Sequence, residues 1–139
     1  MQILVPVDSE SAMLKDLNAM QGNTQFCPVF ATIPHDVEDK IPCAVIMRTG
    51  GYRTDKVVDL HYLVLRVYAN DDNEALETIS VLAGIAEELA YENTTASGID
   101  WLGVEMSGFP AMDPDDRHPD LAVFSFEIAA TCRARALEI

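Results

Sequence analysis

The longest patterned segment of the chain runs from Asp120 to Arg135, and its side chains alternate with a period of two. Such alternation is typical of a β-strand, because successive side chains point to opposite faces. At about 3.3 Å per residue the segment would extend roughly 50 Å, whereas typical strands have about five or six residues. The pattern therefore predicts one long strand that bends or projects from its domain. Its more apolar face contains Ala122, Phe124, Phe126, Ile128, Ala130, Cys132 and Ala134.

Four earlier segments also have the composition of strands. They are residues 27–33, 43–47, 57–69 and 99–109. Residues 57–69 are largely apolar on both faces, which predicts a central position in a sheet. Gly50 and Gly51 follow the second of these segments and indicate a turn. A long loop, residues 110–119, is predicted before the final strand.

Two helices are predicted from apolar spacing and capping residues. Ser11 can cap a first helix that ends at Gly22. Asp71 and Glu74 form a capping box at the start of a second, amphipathic helix. We expect Phe124 and Phe126 to pack beneath this second helix. Its apolar stripe contains Leu76, Ile79, Leu82, Ala83, Ala86, Leu89 and Ala90.

The order of these elements predicts the fold class. The helices lie on either side of a β-rich middle and do not alternate with each strand, which favours antiparallel pairing. We therefore expect an α+β fold in a single domain, residues 1–139. Its mostly antiparallel sheet should have four to five strands, with two helices packed on it and long projecting strands.

The charge composition limits the kinds of molecule that this protein can bind. The chain has 23 acidic and 9 basic residues, a formal charge of −14. A surface of that charge repels phosphate and argues against tight binding of nucleic acid or an anionic membrane. Solubility, or a salt-rich host, would explain the acidity equally well. No apolar run approaches the ~20 residues that span a bilayer, and the first residues do not resemble a signal peptide.

The sequence contains few candidates for catalysis or metal binding. The three cysteines have no Cys-x-x-Cys spacing, and we expect them to be buried free thiols. His61 lies among apolar neighbours, which favours a structural role with its hydrogen bonds satisfied. The segment Asp113–Asp120 is rich in oxygen ligands but lacks the glycine and glutamate of an EF-hand loop. A solvated loop or a subunit contact is favoured, so we predict no catalytic residue, no metal and no cofactor.

Two loop regions are predicted to be mobile tips that contact other subunits. Arg48, Arg53 and Lys56 hold three of the nine basic residues within nine positions. A phosphate site is conceivable, but pairing with carboxylates is favoured on so acidic a protein. Carboxylates of a neighbouring subunit are preferred over those of this chain, because the Gly-Gly turn makes this region a flexible tip. The predicted contact residues are Arg48, Gly50, Gly51, Arg53, Lys56, Phe109, Pro110, Asp113, Asp115 and Asp116.

Several short motifs together resemble one family. They are Ile41–Gly51, Asp59, Val67–Ala69, the Ala-rich helix at 72–91, Gly108-Phe109-Pro110 with Asp113-Pro114-Asp115, and the alternating last strand. This set is similar to the tail terminator proteins of long-tailed phages, which also occur in prophages and gene transfer agents. The resemblance covers about residues 41–135 and includes no catalytic residue.

The resemblance implies a structural protein of the virion, made in the host cytoplasm and located at the head–tail junction. Such a subunit forms a homo-oligomeric ring, usually a hexamer, that caps the tail tube, ends its polymerisation and docks to the head connector. The tail tube protein and the connector protein would be its partners, and DNA would pass through the bore without specific binding. We expect an acidic bore, since like charge keeps a duplex sliding.

Two alternatives remain open from the sequence. One is a tail tube protein or another head–tail connector subunit. The other is a small cytoplasmic enzyme or ligand-binding domain that uses Asp113–Asp120 together with His61. A tube protein would form fibres as its concentration rises, and an enzyme would need a concave pocket with convergent polar groups.

Overall fold

A five-stranded, mostly antiparallel sheet with two helices on one face forms the body of the protein in the computed structural model, which describes all 139 residues. A separate two-stranded sheet joins the first and last strands. The predicted α+β fold is confirmed. In chain order the elements are β1 (Gln2–Val5), α1 (Ser9–Met20), β2 (Val29–Phe30), β3 (Cys43–Arg53), β4 (Val58–Ala69), α2 (Asp72–Glu88), β5 (Gly103–Met112), β6 (Ala122–Arg133) and β7 (Arg135–Glu138).

The five-stranded sheet has the order β2-β3-β4-β6-β5. β4 is central and pairs antiparallel with both β3 and β6, as its two apolar faces predicted. β2 is the one parallel strand, and it pairs with β3 only through Val29 and Phe30. β5 forms the opposite edge and pairs antiparallel with β6. Much of the outer edge of β3, and the whole outer edge of β5, therefore has no strand beside it.

The main core lies between this sheet and the helices. Phe124 and Phe126 are buried there, in the same cluster as Ile79, Ala83 and Ala86 of α2, as predicted. Leu76 was expected in this cluster, but 46% of its surface is exposed, so that expectation is wrong. The small Ala75 faces the core instead, and the 100° step of the helix places Leu76 beside it on the outer side.

The predicted strand from Asp120 to Arg135 is two strands. β6 ends at Arg133, and Arg135 begins β7, which pairs antiparallel with β1 from Gln2 opposite Glu138 to Val5 opposite Arg135. The alternation correctly predicts which side of β6 faces the core, because residues from Phe124 to Cys132 alternate between buried and half-buried. It does not detect the break, since β7 continues the same period and its partner lies at the other end of the chain.

Other boundaries also differ from the sequence expectations. Gly50 and Gly51 lie inside β3, at an irregularity in its pairing with β4, and the hairpin turn comes after Arg53. β5 runs on to Met112, so Pro110 lies in an edge strand and not in a loop. Proline is tolerated there because it lies on an edge strand, at an irregularity of the β5–β6 pairing between Gly108 and Ala111.

The helix caps follow the sequence in one case and not in the other. Asp71 caps α2, and its carboxylate accepts the backbone N–H of Glu74 at 2.8 Å, as predicted. For α1 the cap is Asp8 and not Ser11, whose backbone N–H donates to the Asp8 carboxylate at 3.1 Å. The apolar face read from the sequence begins only at Met13, so it does not mark the first turn of α1, which starts at Ser9. Neither helix is long and apolar enough to cross a membrane.

All three cysteines are free and buried, which confirms the expectation from their spacing. Burial raises the pKa of the Cys27 thiol to about 12 and that of Cys43 and Cys132 to about 11. Thiols with such pKa values stay protonated near neutral pH and are poor nucleophiles. These residues therefore serve as small apolar side chains of the core.

Candidate interaction site

The few basic side chains of this acidic protein are unevenly distributed. Four of the nine form ion pairs within the chain, with carboxylates of Asp36, Asp59, Asp113 and Asp100. Five have no such partner, namely Lys15, Arg48, Lys56, Arg117 and Arg135. Three of these five, Lys15, Arg48 and Arg135, line one cavity of about 840 Å³.

This basic cavity is built from segments that are distant in sequence. Lys15 comes from α1, Arg48 from β3 and Arg135 from the start of β7. The other lining residues are Pro6, Val7, Asp8, Ser11, Ala12, Ser97 and Ile99. The single carboxylate among them, Asp8, caps α1; its hydrogen bonds with Ser11 lower its pKa, and the nearby Arg48 lowers it further. The cavity therefore has a net positive charge on a chain of −14.

Two hydrogen bonds hold Arg48 against the beginning of α1. Its Nη1 donates to the carbonyl of Val7 at 3.2 Å, and its backbone N–H donates to a carboxylate oxygen of Glu10 at 2.8 Å. These bonds join β3 to the beginning of α1. They leave the remaining N–H groups of the guanidinium free to donate to an acceptor in the cavity.

Arg48 also borders a second, smaller cavity of about 350 Å³. Its other lining residues are Pro6, Gly50, Gly51, Tyr52, Arg53, Asp59, Leu60 and His61. Arg53 was expected to pair with a neighbouring subunit's carboxylate, and that expectation is wrong: it pairs within the chain, with Asp59 across the β3–β4 register. The Arg53 Nε lies 2.5 Å from Asp59 Oδ1, and this bond raises the pKa of Arg53.

His61 differs from the satisfied structural histidine that its sequence context favours. It is 3% exposed, and its Nε2 has no hydrogen-bond partner. Burial lowers the pKa of His61, and the nearby Arg48 lowers it further, while Asp59 acts in the opposite direction. His61 is therefore a neutral ring at the wall of the smaller cavity near neutral pH.

Gly51 is required where β3 approaches β4 closely. Its φ is +153°, and a Cβ on it would collide with the backbone carbonyl oxygen of Leu60. A Cβ on Gly50 would meet no atom within 4 Å. The sequence predicted that both glycines lie in a turn at a subunit contact, but both lie within β3. Glycine is needed at Gly51 because of the close approach of the two paired strands, without any subunit contact.

The acidic loop from Asp113 to Asp120 is held by several side chains. Asp113 Oδ2 lies 3.0 Å from Arg66 Nε, and the Asp115 carboxylate accepts the Tyr68 hydroxyl at 2.7 Å. The bond from Tyr68 is the main cause of the lowered pKa of Asp115. His118 Nδ1 lies 3.2 Å from a carboxylate oxygen of Glu38. Of the predicted contact residues in this loop, only Asp116 is exposed, and Asp113 and Asp115 are half-buried.

The loop and His61 do not form a common site. Tyr68, which anchors the loop, packs with Val37, Cys43 and Val123 in a small cluster outside the main core. His61 lies seven residues earlier on β4, roughly 23 Å along the strand and on the opposite face. The enzyme or ligand-binding alternative required these groups to converge, and they do not.

Phe109 and Pro110 lie on the free edge strand β5. Phe109 is the most exposed large apolar side chain, at 90%, and Met112 nearby is 61% exposed. Gly50, Lys56 and Asp116 are likewise exposed, but Lys56 lies in the hairpin turn, away from the basic cavity. The predicted contact residues thus fall on separate surfaces and do not form one patch.

Sequence reasoning missed Lys15 and Arg135, which complete the basic cavity around Arg48. They are 120 positions apart, so no local spacing joins them. The small number of basic residues was the signal that could have found them. On so acidic a chain, a basic side chain without an acidic partner is unusual and marks a candidate interaction site.

No protein-family model matches this chain, and a search of curated proteins finds no significant match. No group of three or more His, Cys, Asp or Glu side chains is arranged as a metal site. The absence of a cofactor or metal requirement stays a prediction.

Proposed function

We propose that this chain is the structural subunit of a ring that caps the tail tube of a long-tailed phage, prophage or gene transfer agent. In this role it ends tail polymerisation and joins the tail to the head connector, and it has no enzymatic activity. The observation that carries the proposal is the pair of unlike free edges at the two ends of the sheet.

The two edges can support association from one subunit to the next. Beyond Val45 the outer edge of β3 has no strand partner, and β5 has none along its outer edge. Unpaired edges are templates for another strand. Because the two edges differ, contact between them is heterologous, and such contacts generate a ring when the rotation closes.

Apolar side chains occur at both edges. Phe109 and Met112 are exposed on β5, and Met47 and Tyr52 are exposed on β3. Large exposed apolar groups favour burial on association, at about 25 cal/mol per Å² of apolar surface. This supplies an attraction that the net charge of −14 opposes.

The charge also fits the passage of DNA, because an acidic bore repels a duplex and prevents it from adhering. The repulsion among subunits is screened over about 10 Å at 0.1 M salt, whereas each exposed ion pair contributes only about 0–1 kcal/mol. We therefore expect association to strengthen as salt increases.

Sedimentation velocity across protein and salt concentration, followed by electron microscopy, tests the proposal. We expect closed rings at high salt, with a bore lined mainly by Asp and Glu. Phe109→Asp should weaken their formation, whereas Val81→Asp, an exposed position on α2, should not. Open fibres would indicate a tube protein, and a closed dimer or a basic bore that retains DNA would overturn the proposed role.

A further inference from the structure

The smaller cavity, of about 350 Å³, is bordered by two polar side chains that the rest of the chain leaves incompletely satisfied. One is His61, which is 3% exposed and whose Nε2 has no hydrogen-bond partner. The other is Arg48, whose guanidinium donates to the carbonyl of Val7 but forms no ion pair. Buried nitrogen atoms without a partner are rare in folded proteins, and each needs an explanation.

The charges around this cavity favour a ligand with one negative charge. Arg48 and Arg53 both line it, and the one lining carboxylate is Asp59, which pairs with Arg53. Asp8 lies near Arg48, and Glu10 accepts the backbone N–H of Arg48. Neither of these carboxylates lines the smaller cavity or lies within 4.0 Å of the guanidinium. On the side of the smaller cavity, the charge of Arg48 therefore has no counter-ion.

The size and the remaining lining of the cavity limit the ligand further. Its volume is near the lower end of the range of about 300–1,000 Å³ that small-molecule sites occupy. Pro6, Tyr52 and Leu60 supply apolar surface beside the polar groups. A guanidinium fork matches the two oxygen atoms of a planar carboxylate, whereas a phosphate group would bring more negative charge than one unpaired arginine neutralises. These properties suit a carboxylate attached to a small apolar group.

We propose that the smaller cavity binds a small organic carboxylate, which pairs with the guanidinium of Arg48 and accepts a hydrogen bond from the imidazole of His61. The two side chains are near each other, because the charge of Arg48 acts on the titration of His61. A neutral imidazole carries one N–H donor, so it can add a hydrogen bond without adding charge. The site lies within a single subunit and does not depend on ring formation.

An NMR titration of the protein with sodium benzoate, at constant ionic strength and neutral pH, tests the site. We expect the ring signals of His61 to shift along a single saturating binding curve. Benzamide has nearly the same shape but no charge, and it should bind about tenfold more weakly or less. A shift that stays linear through the millimolar range, or equal binding of benzamide and benzoate, would overturn the proposal.

Three variants locate the ligand. Arg48→Met keeps the length of an exposed side chain and removes its charge, so it should weaken benzoate binding about tenfold or more. Arg135→Met is the matched control, because Arg135 is also an unpaired cation but lines only the basic cavity, and binding should be unchanged. His61→Phe keeps a ring without an N–H and should also weaken binding. Unchanged binding by Arg48→Met, or an equal loss in Arg135→Met, would overturn the site.

The burial of His61 requires a second substitution at that position. Thermal melting first establishes that each His61 variant is folded. His61→Gln keeps an N–H donor, so it should retain more of the affinity for benzoate than His61→Phe does. Equal affinities of two folded variants would overturn the hydrogen bond from His61.

Discussion

Asp16 on α1 accepts a hydrogen bond of 2.7 Å from the indole Nε1 of Trp101, 85 residues further along the chain, and both side chains are buried. The same carboxylate accepts the backbone N–H of Ser97 at 2.7 Å and its hydroxyl at 2.6 Å. These bonds attach the segment that follows α2 to α1. Because Ser97 and Ile99 line the basic cavity, the network also fixes the cavity wall.

Asp16→Ala should lower the free energy of unfolding by about 3 kcal/mol, because it leaves the buried Trp101 N–H without an acceptor. Asp16→Asn keeps the volume and one acceptor oxygen, so its loss should be smaller. Urea unfolding followed by Trp101 fluorescence measures both. Equal stability of the alanine variant and the wild type would contradict this account of the network.

Phe126→Ala should cost about 3–5 kcal/mol, since Phe126 lies in the main core with Ile79 and Ala83. That is a large part of the ~5–15 kcal/mol that stabilises a typical domain. The matched control is Phe109→Ala, at a position that is 90% exposed, which should change stability by less than about 0.5 kcal/mol. Thermal and chemical melting of the two variants side by side compares a buried and an exposed phenylalanine on neighbouring strands.

Gly51→Ala should destabilise the protein by roughly 1–3 kcal/mol, because the new Cβ collides with the Leu60 carbonyl and φ is unfavourable for alanine. Gly50→Ala adds the same atom where nothing lies within 4 Å, and its cost should be much smaller. Denaturant unfolding of the pair separates steric conflict from a general loss of glycine flexibility. Two equal costs would refute the close approach at Gly51.

Tyr68→Phe should release the acidic loop, since it removes the hydroxyl that Asp115 accepts. A lost bond of about 1 kcal/mol corresponds to roughly a fivefold increase in the open population, so trypsin should cut about fivefold faster after Arg117. Cleavage after Lys56, in the hairpin turn, serves as the internal control and should not change. The mobility of both tips in the free subunit, expected from the sequence, stays a prediction that the same digestion measures.

Stability should fall as pH drops below about 6.5, the pKa of an unperturbed histidine. The folded-state pKa of His61 is lowered by burial and by Arg48, so the unfolded chain binds the proton first as pH decreases. Stability is therefore lost over the pH range from about 6.5 down to the folded-state pKa of His61. Asp8 and Asp115, whose pKa values are lowered from 3.8, affect stability only at more acidic pH.

Denaturant unfolding at pH 7.5 and 5.5 measures this loss. The free energy of unfolding should drop less between the two pH values for His61→Gln than for wild type, whereas His35→Gln, at an exposed position, should show the full drop.

The sequence by itself determined the elements whose evidence is local. Alternation over residues 122–132 gave the correct faces of β6, and Asp71 with Glu74 gave the correct start of α2, because each pattern is set by backbone geometry within a few residues. The two apolar faces of β4 likewise gave its central place in the sheet.

Only the tertiary structure decided the features that depend on distant partners. The alternation runs on through Arg135, but pairing with β1 makes that segment a separate strand. Leu76 and Ala75 are adjacent, and the packing of α2 on the sheet decides which of them is buried. The basic cavity forms because three elements that are distant in sequence come together there, bringing Lys15, Arg48 and Arg135 to one place. No spacing of residues along the chain predicts this arrangement.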